Sequence, residues 1–343
     1  MVRQGAFQII LAYLSRLMLQ IPFGSFPGPR LRNGVQRRDR NTMDAVCLEK
    51  VTKRYDSFDA VSSLTMSIKE GAVFGLLGPN GAGKTTTIRM IVRILIPDEG
   101  SVRVLGQPLS DRTQDLIGYL PEERGLYRQM RVLEVLRFLG ALKGLPEQES
   151  ERRARVWLER LGLSARLNDE VNNLSRGMQQ KVQFIAAILH KPTLVILDEP
   201  FTGLDPVNAA VIKDVMLELR SQGATIILST HRMDQVEQMC DSICLMNKGQ
   251  KILDGELKAI KKSYGNNTVR MEFVGDPAFM QLPDVVERIN SYGEMVDITL
   301  RPGADAQQIL KSAVGRDVQV RRFELMEPPL NDIFIQKVSE RNA

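Results

Sequence analysis

The chain has 343 residues, 43% hydrophobic and 25% charged, a composition typical of globular proteins and a length sufficient for two or three domains. Polar residues interrupt its apolar runs before they reach the roughly 20 residues of a membrane-spanning helix, so we expect no integral membrane protein. Three cysteines and two histidines exclude a disulfide scaffold and a multi-histidine metal site.

The excess of positive charge is confined to the start of the chain. Residues 1–42 carry seven arginines and one aspartate, whereas residues 43–343 carry 39 basic and 40 acidic side chains. If residues 43–343 bound nucleic acid, they would be expected to carry more basic than acidic side chains. We therefore expect no nucleic-acid partner.

The basic leader at 1–42 contains an apolar stretch over 6–23, which Arg16 interrupts. The arginine makes a membrane span unfavourable, and no small-residue cleavage site of a signal peptide follows. Prolines and glycines make the remainder a linker. Three origins of the leader stay open: a start assigned ahead of a true start at Met43, a transit-like segment, or a membrane-surface segment.

Short apolar runs separated by turn residues predict strands over about 44–75. A glycine-rich turn and an apolar helix at 84–94 follow, and the period of residues 130–190 is mostly helical. The runs LVILDEP and TIILST are continuously apolar, as in parallel strands buried on both faces. The pattern predicts an α/β domain with a helical insertion at about 121–190.

The pattern changes after about residue 264. Three strand-like runs (VRMEFV, VDITL and VQVRRFEL) alternate with helical stretches at about 305–314 and 330–341, which predicts a small α+β domain. We therefore expect an α/β domain at 43–263 and an accessory α+β domain at 264–343.

The first candidate site is a glycine-rich loop between the apolar strand AVFGLL and the helix that follows. Its spacing fits the phosphate-binding pattern G-x-x-x-x-G-K-[ST]. Such glycines let successive backbone N–H groups face phosphate oxygens, at the positive end of the helix dipole. Lys84 is expected to bind the β and γ phosphates of ATP, and Thr85 to offer its hydroxyl to Mg²⁺. The loop residues are Gly78, Pro79, Asn80, Gly81, Ala82, Gly83, Lys84, Thr85 and Thr86.

Two acidic residues follow the apolar part of the run LVILDEP. Asp198 follows a buried strand, where parallel α/β folds bind their ligands, and its carboxylate can hold Mg²⁺. Glu199 can accept a proton from the water that attacks the γ-phosphate. Together with the glycine-rich loop, this pair predicts a magnesium-dependent ATP-hydrolysing site.

Five further segments resemble, in order, motifs of the ATP-binding-cassette (ABC) ATPases. Over 44–262 the chain is similar to the separate nucleotide-binding subunit of an ABC transporter, and the resemblance implies a P-loop NTPase fold with an antiparallel β subdomain. The segments are KRY at 53–55, the lid IGYLPE at 117–122, the signature LSRGMQQ at 174–180, the D-loop TGLD at 202–205 and STH at 229–231.

The resemblance implies roles for single residues of these segments. Tyr55 stacks on adenine, Asp205 belongs to the D-loop, and His231 contacts the γ-phosphate. Glu122 stands where the family usually has a lid glutamine. Its carboxylate either binds Mg²⁺ or repels the γ-phosphate, and both alternatives stay open.

The signature departs from the usual Leu-Ser-Gly-Gly-Gln at Arg176 and Met178. Ser175 and the backbone of Gly177 are retained at the start of a predicted helix, where a γ-phosphate would meet them. In the family the signature reaches the nucleotide of a second copy. The resemblance therefore implies a head-to-tail homodimer that closes on ATP.

The signature, the lid and the tail at 327–334 are similar to single-cassette subunits of the ABC-2 exporter branch. This implies integral-membrane permease partners, a place at the cytoplasmic face of the cell membrane, and a regulatory or dimer-supporting accessory domain. Two other classes stay open: a soluble ABC ATPase acting on DNA or ribosomes, and an NTP-binding regulator without turnover. A single cassette without a heptad run disfavours the first, and the intact Glu199 disfavours the second.

Overall fold

A computed structural model describes residues 43–342, except residues 57, 124, 265–267, 294 and 302. The leader at 1–42 and the alternatives for its origin lie outside the described residues. No helix in the described part of the chain is long and apolar enough to cross a membrane.

The chain forms two compact units. Among the described residues, the first comprises those from Met43 to Arg232 together with Met239–Leu253, and the second comprises Met233–Gln238 together with those from Asp254 onward. The elements as far as the end of the first unit are β1 (Asp44–Tyr55), β2 (Phe58–Lys69), β3 (Val73–Leu77), α1 (Lys84–Ile91), β4 (Glu99–Val104), β5 (Gln107–Pro108), α2 (Asp111–Gln114), β6 (Ile117–Leu120), α3 (Val132–Leu142), α4 (Glu147–Arg160), α5 (Arg176–Ile188), β7 (Leu194–Asp198), α6 (Pro206–Ser221), β8 (Thr225–Thr230), α7 (Met233–Met239), β9 (Ser242–Asn247) and β10 (Gln250–Glu256).

A six-stranded sheet with the order β10-β9-β3-β8-β7-β6 forms the centre of the first unit. The pairs β9–β3, β3–β8, β8–β7 and β7–β6 are parallel. Every residue of β3, β7 and β8 is buried, because both faces of these strands are covered. The α/β core and the doubly buried strands predicted from LVILDEP and TIILST are confirmed.

A second sheet of the first unit has the order β2-β1-β4-β5 and is antiparallel. The predicted antiparallel β subdomain is thereby confirmed. Between β6 and β7 lie α3, α4 and α5, in the region predicted as the helical insertion. Gly140 lets α3 and α4 approach closely, because a Cβ at this position would lie 2.1 Å from Ser150 Oγ.

The helix after the glycine-rich loop is shorter than predicted. It was expected at 84–94, but α1 ends at Ile91. Arg93 adopts a left-handed backbone conformation with φ 59°, which an α-helix cannot continue.

The second unit contains α8 (Leu257–Ser263), β11 (Thr268–Val274), β12 (Val286–Tyr292), β13 (Met295–Leu300), α9 (Gln307–Val314), β14 (Gln319–Met326) and α10 (Leu330–Asn342). Its antiparallel sheet has the order β12-β13-β11-β14. The buried core includes Val269, Met271, Phe279, Ile298 and Ile309. Strand β12 was not predicted, because as an edge strand it is largely exposed and its sequence, VERINSY, shows little apolar alternation.

The second unit also begins earlier than the predicted boundary at 263/264. Lys261 of α8 lies 2.8 Å from the Glu237 carboxylate of α7 and 3.6 Å from Glu327. These contacts group α7 and α8 with the residues from β11 onward. The sequence indicated only where strand character changes, which occurs after α8.

Candidate functional site

The glycine-rich loop starts where β3 ends. Gly78 has φ 146°, and a Cβ at this position would lie 2.2 Å from the carbonyl oxygen of Met246 in β9. Only glycine therefore fits this turn. Gly83 precedes α1 with φ 101°, so a left-handed residue leads the loop directly into the helix. The first N–H groups of α1 lack a side-chain cap, as expected for a helix start that receives an anion.

Lys84 lies at the centre of the loop and is 6% exposed. Its Nζ donates hydrogen bonds to the carbonyl oxygens of Gly78 at 2.7 Å and Pro79 at 3.1 Å. Burial lowers the pKa of the Lys84 ammonium, and the carboxylates of Glu199 and Asp198 oppose that shift. The loop thus holds a cation beside two carboxylates.

Asp198 ends β7, is 1% exposed and faces the loop. Thr85 Oγ1 donates a hydrogen bond of 2.9 Å to Asp198 Oδ2. Burial raises the pKa of the Asp198 carboxyl, and hydrogen bonding from Thr85 and the charge of Lys84 oppose that shift. A hydroxyl and a carboxylate in contact provide the oxygen donors that Mg²⁺ prefers.

Glu199 follows in a left-handed conformation with φ 49°, which is unusual for a non-glycine residue. Its backbone N–H donates to the carbonyl of Ser229 in β8 at 2.9 Å. Its carboxylate accepts hydrogen bonds from Thr230 Oγ1 at 3.1 Å and from the backbone N–H of His231 at 3.0 Å. His231 Nδ1 lies 2.7 Å from Glu199 Oε1. The predicted base and the predicted γ-phosphate histidine are therefore in contact.

A cavity of about 410 Å³ brings most of the predicted residues together. Phe58 and Ala60 are additional to the prediction. The ring of Phe58 lies 6.0 Å from that of Tyr55, because β1 and β2 pair Tyr55 with Phe58 across a short hairpin. A hairpin prediction for these two aromatic residues would have found Phe58. The lining residues are Tyr55, Phe58, Ala60, Asn80, Gly81, Ala82, Gly83, Lys84, Thr85, Thr86, Glu122, Asp198 and Glu199.

Glu122 lines this cavity together with Asp198 and Glu199. Burial raises the pKa of the Glu122 carboxyl, and the neighbouring Asp198 and Glu199 carboxylates raise it further. Among the described residues, no three His, Cys, Asp or Glu side chains are grouped closely enough to hold a metal. A metal here would therefore rely on phosphate and water oxygens in addition to Thr85 and Asp198.

Ser175, Gly177, Asp205 and His231 are not among the residues that line this cavity. Ser175 caps α5, and its Oγ accepts a hydrogen bond of 3.3 Å from the N–H of Met178. A Cβ on Gly177 would lie 3.1 Å from the carbonyl oxygen of Gly203, so the signature packs against the D-loop.

Asp205 caps α6 by accepting a hydrogen bond of 3.0 Å from the N–H of Asn208, which lowers the pKa of the Asp205 carboxyl. The signature and the D-loop thus lie next to each other.

The loop at the start of α1 and the carboxylates at the end of β7 together define a P-loop nucleotide-binding site. Two family models match the chain: the model described as ABC transporter over residues 61–202, and the model described as ATP-binding protein DrrA1-3-like, C-terminal domain, over residues 255–338. The second match covers most of the predicted accessory domain.

Curated relatives match along most of their length. The ABC transporter ATP-binding protein YhaQ of Bacillus subtilis is 43% identical over 85% of this chain and 97% of its own. The linearmycin resistance ATP-binding protein LnrL of B. subtilis is 31% identical over 84% of this chain and 96% of its own. The Nod factor export ATP-binding protein I of Cupriavidus pinatubonensis is 38% identical over 61% of this chain and 65% of its own.

Solved structures match the cassette region. An ATP-binding subunit of an ABC transporter superposes with a TM-score of 0.61 at 33% identity, over 64% of this chain and 93% of its own. A dimeric, post-hydrolysis ATP-binding cassette bound to ADP and Pi superposes with a TM-score of 0.58 at 26% identity, over 62% of this chain and 98% of its own. The chain belongs to the ATP-binding subunits of ABC transporters, a family of ATPases, as its motifs predicted.

Proposed function

We propose that this chain hydrolyses ATP with Mg²⁺ to power an ABC-2-like exporter, working as a pair of cassettes beneath integral-membrane permease subunits. The observation that carries the proposal is the contact of Thr85 with Asp198, which joins the phosphate-binding loop to the strand that Glu199 directly follows. The relatives named for linearmycin resistance and Nod factor export support the exporter branch.

The loop residues bind the phosphates in this proposal. The N–H groups of Asn80, Gly81, Gly83 and Lys84 surround the β and γ phosphates, and Lys84 Nζ exchanges its carbonyl partners for phosphate oxygens. This exchange is favourable because a buried ammonium gains more from a phosphate charge than from neutral carbonyls. Thr86 follows at the wall of the cavity. Tyr55, paired with Phe58, offers the adenine an aromatic face.

Mg²⁺ would be held by Thr85 Oγ1 and the Asp198 carboxylate, together with phosphate and water oxygens. The donor set fits the ion, because all these ligands are hard oxygens and the Asp198 carboxylate is a buried charge that a cation would compensate. Bound Mg²⁺ would neutralise charge on the β and γ phosphates.

Glu199 is the general base in this proposal. Glu199 is 7% exposed and its carboxylate is fixed by hydrogen bonds, so it can receive a proton without first being ordered. His231 has a side chain that is 53% exposed, which leaves its Nε2 free to reach a γ-phosphate while its Nδ1 contacts Glu199. The pair thus links proton acceptance to γ-phosphate binding.

The second half of each site would come from another copy of the chain. Ser175 caps α5 and Asp205 caps α6, and neither residue lines the cavity of its own chain. A helix start attracts an anionic γ-phosphate. The dimeric cassette bound to ADP and Pi supports the pairing of two cassettes. Two identical copies would give two competent sites, because every motif residue is present in one chain.

The permease subunits would dock beside the helical insertion, at the cytoplasmic face of the cell membrane. A cavity of about 160 Å³ lies between β6, α3 and α5 of the first unit. Its lining is mainly apolar and includes Ile117, Leu126 and Leu139. Such a surface can bind an apolar segment of a partner. The competing hypothesis, an ABC ATPase acting on DNA or ribosomes, lacks support from the relatives named above, which are transporter subunits.

The enzymatic part of the proposal is tested by measuring phosphate release from Mg-ATP by the full chain and its Glu199→Gln variant. We expect kcat to fall by about a hundredfold or more while ATP binding is retained. Glu70→Gln, an exposed control in the turn after β2, should keep the parent rate. Equal rates in parent and Glu199→Gln would exclude Glu199 as the base, and absent hydrolysis in the parent would favour the NTP-binding regulator.

The assembly is tested with the same variant. Light scattering with Mg-ATP should detect a dimer of Glu199→Gln, and Ser175→Arg in that background should abolish it. A pull-down from gently solubilised native membranes should recover a polytopic membrane protein in stoichiometric amount. Recovery of ribosomes or DNA instead would favour the competing hypothesis.

A further inference from the structure

The two oxygens of the Glu199 carboxylate have different partners. Oε1 faces His231, through the backbone N–H at 3.0 Å and Nδ1 at 2.7 Å. Oε2 accepts a hydrogen bond from Thr230 Oγ1 at 3.1 Å. The His231 side chain is exposed, so the contact of its Nδ1 with Oε1 is lost when the imidazole rotates. The contact of Thr230 Oγ1 with Oε2 does not depend on the orientation of that imidazole.

The Thr230 hydroxyl is itself fixed in direction. Thr230 ends β8 and is 1% exposed, so its side chain has little freedom to change rotamer. Its Oγ1 accepts a hydrogen bond of 3.1 Å from the backbone N–H of Arg232. Because that N–H occupies a lone pair of the oxygen, the hydroxyl proton is directed toward Glu199 Oε2.

The sheet register explains why this threonine meets the base. β7 and β8 are parallel and pair Asp198 with Ser229. The residues that follow this pair, Glu199 and Thr230, therefore lie at the same edge of the sheet. Glu199 leaves the strand direction with φ 49°, and its N–H returns to the carbonyl of Ser229 at 2.9 Å. The carboxylate is thereby brought back to Thr230.

We propose that Thr230 is a positioning residue for ATP hydrolysis, whose hydroxyl holds the Glu199 carboxylate in its proton-accepting orientation whenever His231 turns to the nucleotide. The inference rests on the proposed function, because it takes Glu199 as the base. Thr230 holds the base through Oε2, and Oε1 then keeps a lone pair for the proton of the attacking water.

The test replaces Thr230 in the full chain and measures phosphate release from Mg-ATP. Thr230→Val is nearly isosteric and removes only the hydroxyl, and we expect kcat to fall by about tenfold to a hundredfold with KM for ATP within about twofold. Thr230→Ser keeps the hydroxyl and should restore most of the rate. If Thr230→Val does not fold, Thr230→Ala makes the same deletion with less steric demand.

Thr225→Val is the matched control, because Thr225 starts the same strand, is fully buried and binds the N–H of Gly71 at 2.9 Å instead of the base. It should lower stability but leave kcat unchanged. A double-mutant cycle supplies a further readout: in a Glu199→Gln background, Thr230→Val should cause no additional loss of the residual rate.

Three results would overturn the inference: a kcat for Thr230→Val within about twofold of the parent, a Thr230→Ser variant as slow as Thr230→Val, or independent losses in the double-mutant cycle. Failure of the proposed function is recognised separately, because it would appear in the Glu199→Gln variant alone as an unchanged rate. The inference on Thr230 instead predicts that Glu199→Gln alone lowers the rate strongly and leaves a residual rate that Thr230→Val does not lower further.

Discussion

Thr85 and Asp198 are 113 residues apart in the sequence, yet Thr85 Oγ1 lies 2.9 Å from Asp198 Oδ2. The parallel order of β3, β8 and β7 brings the ends of these strands to one edge of the sheet. At that edge a helix start, a buried ammonium and a buried carboxylate meet, which is the arrangement that a magnesium nucleotide complex requires.

Asp198→Asn should weaken Mg²⁺ binding without lowering the free energy of unfolding. The amide oxygen can still accept the Thr85 hydrogen bond, but it lacks the charge that holds Mg²⁺. We expect Mg-dependent ATP hydrolysis to fall by about a hundredfold or more. Without metal, urea unfolding should give a free energy at least equal to that of the parent, because a buried charge is removed. A large loss of stability would mean that the Asp198 charge stabilises the fold.

The two glycines at either end of β3 should respond differently to alanine. Gly71 has φ 71°, and a Cβ at this position would meet no atom within 4 Å, so Gly71→Ala should cost about 1 kcal/mol through backbone strain alone. Gly78→Ala adds a contact of 2.2 Å with the Met246 carbonyl, and we expect a loss of several kcal/mol or failure to fold. Thermal unfolding of both variants measures the difference, and equal losses would show that the loop relaxes around the new methyl group.

His190 should make stability depend on pH. Its Nε2 lies 3.2 Å from the carbonyl oxygen of Ile117, and burial together with the charges of Lys143 and Arg153 lowers its pKa to about 4. The unfolded chain binds this proton near pH 6.5, so the stability that neutral His190 contributes is complete above that pH and is lost as the pH falls toward 4. The total loss is about 3 kcal/mol, from 1.36 kcal/mol for each pH unit between the two pKa values.

Urea unfolding of the parent and of His190→Gln between about pH 4.5 and pH 7 checks this expectation. The amide of glutamine can donate to Ile117 but does not titrate, so the variant should show a smaller change of stability with pH. Trp157, the single tryptophan of the chain, lies in α4 and reports the unfolding by fluorescence. Parallel pH profiles for the two proteins would exclude a buried neutral His190.

Glu237 should control the local stability of α10. Its carboxylate accepts the backbone N–H of Leu330 at the start of that helix and lies 2.8 Å from Lys261 Nζ. Glu237→Gln keeps an acceptor but loses the ion pair, whereas Glu237→Ala loses both. We expect amide hydrogen exchange of α10 to accelerate about fivefold in the first variant and more strongly in the second. Equal exchange in both variants would mean that only the charge matters.

The sequence predicted those parts of the site that lie in continuous motifs. The loop from Gly78 to Thr86 and the pair Asp198–Glu199 each combine a strand end with polar residues in a fixed local order, which the chain itself specifies. Phe58 and the hydroxyl of Thr230 were missed as site groups, because their positions depend on the hairpin register of β1–β2 and on the register of β7–β8.

The same distinction holds for the fold. The buried strands β3, β7 and β8 have continuous apolar runs and were predicted. Strands with a weak pattern were not, as β12 shows. The assignment of Met233–Gln238 to the second unit could not be predicted from hydrophobic periodicity. The apolar residues of α7 would have the same helical spacing whichever unit the helix packs against.

The discontinuous second unit limits how this protein can be recombined. Its segment Met233–Gln238 lies between two stretches of the first unit, and Glu237 within that segment holds both α8 and the start of α10. A chain cut after Leu253 would keep α7 but lose these partners of Glu237. A chimera that exchanges the accessory unit with a homologue therefore needs splice points on both sides of α7 as well as one near Asp254.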